Sequence, residues 1–204
     1  MSDAAEAGLR PLPYEAWSDT ARSILPRYLR RPELYLSGGA PMPQALGLLA
    51  NHVPLGIAWM GFTEMLVGDA STLDPRLREL AILRVSWQAA SDYEWMQHAR
   101  IGLHTGLTIE QIRAVPDGPE AKVWTPLEKN VLDAVDQVMT TARIDAPTWQ
   151  GLTQHLDAAQ LLELTFVIGG YLCFAVVTNS VGMVADPPTE PIDVPHVPAR
   201  TDDP

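Results

Sequence analysis

Glu94 and His98 stand four residues apart, a spacing that puts both side chains on one face of a helix. Fifteen residues before Glu94, Glu79 sits among Leu77, Leu80, Ala81, Ile82, Leu83 and Val85, where full solvation of a carboxylate is out of reach. A buried acid must pair, accept hydrogen bonds or take up a proton. Set opposite an imidazole, it makes a unit that moves protons, because burial and partner charge bring both groups toward a working pH. Each residue also has a structural explanation. Glu79 could pair with Arg84 or Arg100, Ser91 and Glu94 have the spacing of a capping box, and His98 could be a satisfied core histidine.

These residues need a helical hairpin to meet. Asp74 followed by Pro75 reads as a cap and first-turn proline for a helix running to about Ala89, and Ser91 opens a second that runs to Thr105 and stops at Gly106. If the two fold back around Ala90, Glu79 lies eleven residues before the turn and His98 eight after it. At about 1.5 Å per residue the difference in height is roughly 4 to 5 Å, which long side chains span.

The period is helical elsewhere too. A short helix or two is expected over Tyr14–Leu29, one from Pro43 through Ala50, and a longer one from Pro54 through Val67. Three more are expected after Gly106, with capping spacings at Thr108/Gln111, Thr125/Glu128 and Asp157/Gln160. No alternation of period two persists, so the fold class is all-α. Six of the 18 prolines fall in the first 43 residues and six after Asp186, which divides the chain into an N-terminal segment (1–42), a helical domain (43–185) and a proline-rich tail (186–204). The tail is expected to fray or to dock on a neighbouring subunit.

A formal charge of -11 argues against nucleic acid or an anionic membrane as partner. The first ten residues read as neither a secretory nor a transit peptide, and a cytoplasmic location is the expectation. Leu161–Val177, interrupted by Glu163, Thr165, Gly169 and Gly170, reads as a buried core helix, with the lone Cys173 acting as a small hydrophobe. One cysteine excludes intramolecular dithiol chemistry.

The runs Arg78-Glu79-Leu80-Ala81-Ile82-Leu83-Arg84-Val85 and Tyr93-Glu94-Trp95-Met96-Gln97-His98, followed by Thr105-Gly106-Leu107, resemble the carboxymuconolactone decarboxylase and alkylhydroperoxidase D-like (AhpD-like) superfamily. The resemblance is strongest over 75–107 and looser through Asn51-His52-Val53-Pro54 and Asp133–Asp136. It implies an AhpD-like helical fold that assembles into homo-oligomers. The peroxidase branch has a glutamate, eleven spacers, a cysteine, two spacers, a cysteine, three spacers and a histidine. Glu79 and His98 fit that pattern, but Ser91 and Glu94 occupy the cysteine positions. The branch lacking the paired cysteines is therefore implied, with His98 as main acid or base, Glu79 as its orienting partner and Glu94 as second proton carrier.

Tyr93, Trp95 and Trp87 are candidates to line an aromatic pocket, and Ser91 and His52 to bind substrate, although aromatics at helical spacing are more often core and His52 also suits a helix start. His104, near a helix end, suits the exposed carbonyls there. No cofactor is expected. No metal is expected either, although Glu79, Glu94 and His98 would together supply three ligands. The leading expectation is a cofactor-independent decarboxylase, isomerase or eliminating enzyme acting next to a carbonyl on a small cyclic carboxylated or polyketide-like substrate. The alternatives are a non-catalytic oligomeric binding or scaffold protein and a cysteine-independent peroxidase-like oxidoreductase. The central aromatics and the apolar Leu161–Val177 run lead us to expect a homo-oligomer, whether dimer, trimer or hexamer.

Overall fold

The computed structural model describes residues 8–29, 31–187 and 192–198, and among them there is no strand. The fold is all-α. Packing divides the chain into two compact units, Met1–Ala70 with Ser180–Asp186 and Ser71–Asn179 with Pro187–Pro204. The proline-rich start thus shares a core with the next two helices.

In the first unit, 3-10 turns over Tyr14–Ala16, Leu25–Tyr28 and Ala50–His52 alternate with helices α1 (Asp19–Ile24), α2 (Pro32–Leu36), α3 (Gln44–Leu49) and α4 (Val53–Val67). Prolines keep these pieces short. Trp17, Ala21, Leu25, Leu46 and Ala50 form the core, with Leu12 and Met60 packed against it. Leu12 donates its N–H to the Gly47 carbonyl at 3.0 Å. A Cβ on Gly47 would come within 2.6 Å of the Leu12 oxygen, so only glycine permits the approach.

The second unit holds α5 (Pro75–Gln88), α6 (Asp92–His104), α7 (Ile109–Ala114), a 3-10 segment at Val115–Glu120, α8 (Pro126–Thr141), α9 (Ala146–Thr153) and α10 (Ala158–Ser180). The Asp74 side chain accepts from the N–H groups of Arg76 and Leu77, and Pro75 takes the first helical position. Every residue from Leu77 to Ser86 is buried, so α5 is the central helix of its unit. It ends with Ser91 donating to the Ser86 carbonyl at 2.8 Å and Ala90 to Trp87 at 3.1 Å. Ala90 takes a left-handed conformation, φ 54°, where glycine is usual. The end of α6 is built the same way with the usual residue: Gly106 has φ 100° and Leu107 donates to the Gly102 carbonyl at 2.9 Å.

Thr108/Gln111 and Thr125/Glu128 form reciprocal capping boxes, and Asp157 and Gln160 exchange side chain-to-backbone bonds in the same manner. Four α-helices follow Gly106, one more than expected. The additional one is α9, which Asp145 caps by accepting from the Thr148 N–H and which has Pro147 in its first turn.

Three expectations about the last 50 residues are corrected. Cys173 is exposed and does not serve as core. The α10 helix is only half a core helix: Leu161, Leu164, Val167, Ile168, Tyr171 and Ala175 point inward at spacings of three and four, leaving Leu162, Phe166 and Val176 more than half exposed. The segments Gln44–Val67 and Ala158–Ser180 have the length and hydropathy of a bilayer span, a test that core helices of soluble proteins also pass. In α10 the inward face meets that demand, and Glu163 accepts from Ser71 Oγ at 2.7 Å and from the Leu73 N–H at 2.8 Å. Lastly, the described part of the tail, residues 192–198, docks on its own chain. Pro195 accepts from Trp95 Nε1 at 2.7 Å, Asp92 accepts from the Val197 N–H at 3.0 Å and faces His196 Nδ1 at 3.0 Å, and Val197 is buried.

Candidate active site

The α5–α6 hairpin brings Glu79 and His98 into direct contact, with His98 Nδ1 2.7 Å from Glu79 Oε2. The other carboxylate oxygen, Oε1, accepts from Arg78 Nε at 3.3 Å. The carboxylate is almost wholly enclosed, at 1% exposure, whereas the imidazole in front of it retains 12%. The pair therefore has a closed end and an end that meets the outside. With Nδ1–H donated to Glu79, Nε2 carries the lone pair, the arrangement a general base requires.

Neither sequence-level ion pair for Glu79 forms. Arg84 is held elsewhere, donating through Nε and Nη2 to Asp136 at 2.7 and 2.8 Å and through Nη1 to the carbonyls of Val115 and Pro116. Arg100 donates to Gln97 at 3.1 Å.

Glu94 follows a different logic. The Ser91 side chain forms no cap bond on α6, and its hydroxyl pairs with Thr178 Oγ1 at 3.2 Å. The capping box that would have explained Glu94 is absent. Its carboxyl group is 1% exposed, and neither oxygen has a hydrogen-bond partner among the described residues. Burial pushes Glu94 up to about 8, an effect that the nearby Ser91 hydroxyl only partly opposes. A carboxyl group so placed holds its proton at neutral pH and acts as a donor.

Helix α10 supplies what the sequence did not single out. The Tyr171 ring packs edge-on against the His98 imidazole, centroids 4.8 Å apart and planes at 87°. Burial pushes the pKa of this phenol well above its ordinary value, the Glu79 carboxylate pushes it further up, and Arg78 opposes them. Two turns on, Thr178 meets Ser91 and Asn179 Nδ2 donates to the Ala89 carbonyl at 2.7 Å, so α10 lies along the hairpin and holds its turn. Nothing in the apolar run around Tyr171 marks it for a site; its register opposite His98 is a tertiary fact.

The remaining candidates take structural positions. Trp95 is fully buried and meets Trp87 edge to face at 5.2 Å. Tyr93 is buried at the start of α6. His52 caps α4, its Nδ1 accepting from the Leu55 N–H at 3.2 Å, and His104 Nδ1 contacts the Arg100 carbonyl at 2.7 Å. Among the described residues no three His, Cys, Asp or Glu side chains gather as a metal site.

Residues 54–137 match the model of the carboxymuconolactone decarboxylase family. Over that segment the chain is similar to the carboxymuconolactone decarboxylase family. Both hairpin helices, and with them the Glu79–His98 contact, lie within the matched segment. Solved structures carry the same fold. An alkylhydroperoxidase AhpD core, an uncharacterized peroxidase-related protein from Ralstonia eutropha JMP134, is 16% identical with a TM-score of 0.72, over 87% of this chain and 93% of that one. A protein of unknown function from Agrobacterium tumefaciens, described as an antioxidant defence protein of AhpD type, is 21% identical with a TM-score of 0.63, over 70% and 96%. A debrominase, Bmp8, solved as a cysteine-to-alanine variant with 2,3,4-tribromopyrrole, is 15% identical with a TM-score of 0.67, over 85% and 89%. A search of curated proteins gave no match.

Proposed function

We propose that this protein is a cofactor-independent acid–base enzyme, catalysing decarboxylation, isomerisation or elimination next to a carbonyl of a small cyclic carboxylated or polyketide-like compound. The observation that carries the reading is the 2.7 Å contact between an enclosed carboxylate and a partly exposed imidazole. His98 Nε2 takes or returns the proton at carbon, Glu79 positions the ring and steadies the imidazolium, and Glu94 supplies the second protonated group. Ser91 and Glu94 at the cysteine positions leave no attacking thiolate and no resolving partner, so a peroxidase reading would need chemistry without a cysteine pair.

Carbon–hydrogen exchange in deuterated water tests the base directly, monitored by NMR on a panel of cyclic β-keto acids and unsaturated lactone acids. Wild-type protein should catalyse exchange or turnover of a panel member, and His98→Ala should lose it with helicity and oligomer size unchanged. Activity retained in His98→Ala removes the reading. The scaffold alternative has one favourable observation, since Glu79 is fully satisfied by Arg78 and His98 and needs no substrate to explain it. Under it, Glu79→Gln would cost stability and no panel member would react. Peroxide consumption measured with and without a thiol reductant tests the third reading. The outward apolar residues Leu162 and Val177 support a homo-oligomer, and a stable monomer in sedimentation at micromolar concentration would contradict it.

A further inference from the structure

The proton-transfer reading gives Glu79 and His98 their roles but says only that Glu94 is a second protonated group and leaves the buried phenol of Tyr171 without a task. Glu94 has a carboxyl group at 1% exposure with no hydrogen-bond partner on either oxygen among the described residues. Buried polar groups are almost always satisfied, and leaving one orphaned costs stability, so an exception of this kind calls for a role. Tyr171 lies against the face of the base, with its ring fixed by the His98 imidazole at 4.8 Å. Glu94 is one helical turn before His98 on α6, and the Tyr171 ring reaches the imidazole from α10.

We propose that Tyr171 and Glu94 form an oxyanion-holding pair beside the His98 base, which makes the substrate an enolisable carbonyl compound whose enolate oxygen is bound between a phenol O–H and a carboxylic acid O–H. This rests on the proton-transfer reading and gives it a substrate class. Both donors are neutral where the base works: burial holds the proton on each, and the Glu79 carboxylate opposes ionisation of Tyr171. A neutral donor in a water-poor site stabilises developing negative charge without first paying to lose its own solvation shell.

The electron count closes on the substrate alone. His98 Nε2 takes a proton from the carbon next to the carbonyl, the C–H pair becomes the C=C bond, and the carbonyl π pair moves onto oxygen. Tyr171 and Glu94 bind that oxygen and keep their own protons. The imidazolium, held by Glu79, then returns its proton to another carbon in an isomerisation. In a decarboxylation the C–C bond to the carboxylate breaks instead, carbon dioxide leaves with its pair left on the enolate, and a protonated His98 delivers the proton to carbon. No oxidant, reductant or metal enters either balance.

The test uses 4-nitrophenolate, whose oxygen carries the charge of an enolate, and reads its dissociation constant by absorbance titration against the full chain. Wild-type protein should bind it, and Tyr171→Phe and Glu94→Ala should each weaken binding by at least about 10-fold, the loss expected for one hydrogen bond to a charged group. Glu94→Gln, which keeps a neutral donor, should stay within about 3-fold of wild type, and this rescue separates donation from loss of packing. His98→Ala should still bind the probe while losing carbon exchange. Exchange surviving in His98→Ala would therefore strike the base and leave the oxyanion pair standing. No binding by wild type, or binding indifferent to both Tyr171→Phe and Glu94→Ala, overturns the proposal.

Discussion

Two seams run along α5, and they treat buried charge in opposite ways. On the side facing α8 and the 3-10 segment at Val115–Glu120, Arg84 is nearly enclosed, yet two of its nitrogens meet Asp136 and a third meets two backbone carbonyls. On the side facing α6 and α10, Glu79 is satisfied but Glu94 is not, and the imidazole between them remains partly open. The first seam has its polar groups closed onto one another, the mark of a structural element. In the second, one group lacks a protein partner and another reaches solvent, and these are the openings through which a bound molecule could complete the set.

That contrast is sharpest where one side chain is removed from each seam. His98→Ala should reduce exchange or turnover by about 10²- to 10⁴-fold, the range for a general base, with the melting temperature close to wild type. Arg84→Ala should do the reverse. Stripping Asp136 of its guanidinium, with only Gln88 Nε2 left to donate to it, and leaving two carbonyls unbonded should cost about 3 kcal/mol in chemical denaturation, while the rate per folded molecule holds. A large loss of activity in Arg84→Ala at a temperature where the protein is folded would erase the distinction between the seams.

Glu94 gives the contrast a pH axis. Its folded-state value near 8 lies above that of an unfolded glutamate, so between roughly pH 4.5 and 8 the folded chain binds the additional proton and loses stability as the pH rises. Glu94→Gln lacks that dependence. The variant should match wild type at about pH 4 and exceed it at pH 8 by an amount on the order of 4 kcal/mol, measured by denaturant titration. If the gap is the same at both ends, the carboxyl group is not held protonated. The donor should also fail above about 8, so 4-nitrophenolate binding should weaken there, with Ser91 beside Glu94 and with Glu79 and Arg78 acting on Tyr171 as the other charged and polar groups involved. The smallest effect is at the hairpin turn: Ala90→Gly should stabilise by about 0.5–1 kcal/mol, because glycine takes the left-handed conformation without the Cβ penalty.

The hairpin was legible because its signals are local. Asp74-Pro75 and Gly106 bound it, and the residue count from Ala90 sets Glu79 and His98 close enough in height for long side chains to meet. Capping spacings at Thr108, Thr125 and Asp157 worked for the same reason, each involving side chains three residues apart. The same spacing misled at Ser91 and Glu94, where a tertiary partner, Thr178, captures the serine hydroxyl. Tyr171 was invisible because the apolar α10 run gives no hint of which turn faces His98. Trp87 and Trp95 show the converse: they flank the right residues in sequence but spend their rings on each other. Cys173 was misplaced because α10 carries apolar residues on more faces than its own unit covers, so apolar neighbours in sequence did not mean a buried position.

The docked tail has a practical corollary for anyone preparing the protein. The indole N–H of Trp95 has the Pro195 carbonyl as its acceptor, about one hundred residues away in the chain. A truncation before residue 192 would strand that donor in a hydrocarbon setting and uncover the base of α6, three residues from the imidazole. Intrinsic tryptophan emission should shift to the red in the shortened protein, a quick optical check on whether a given preparation still has its last segment in place.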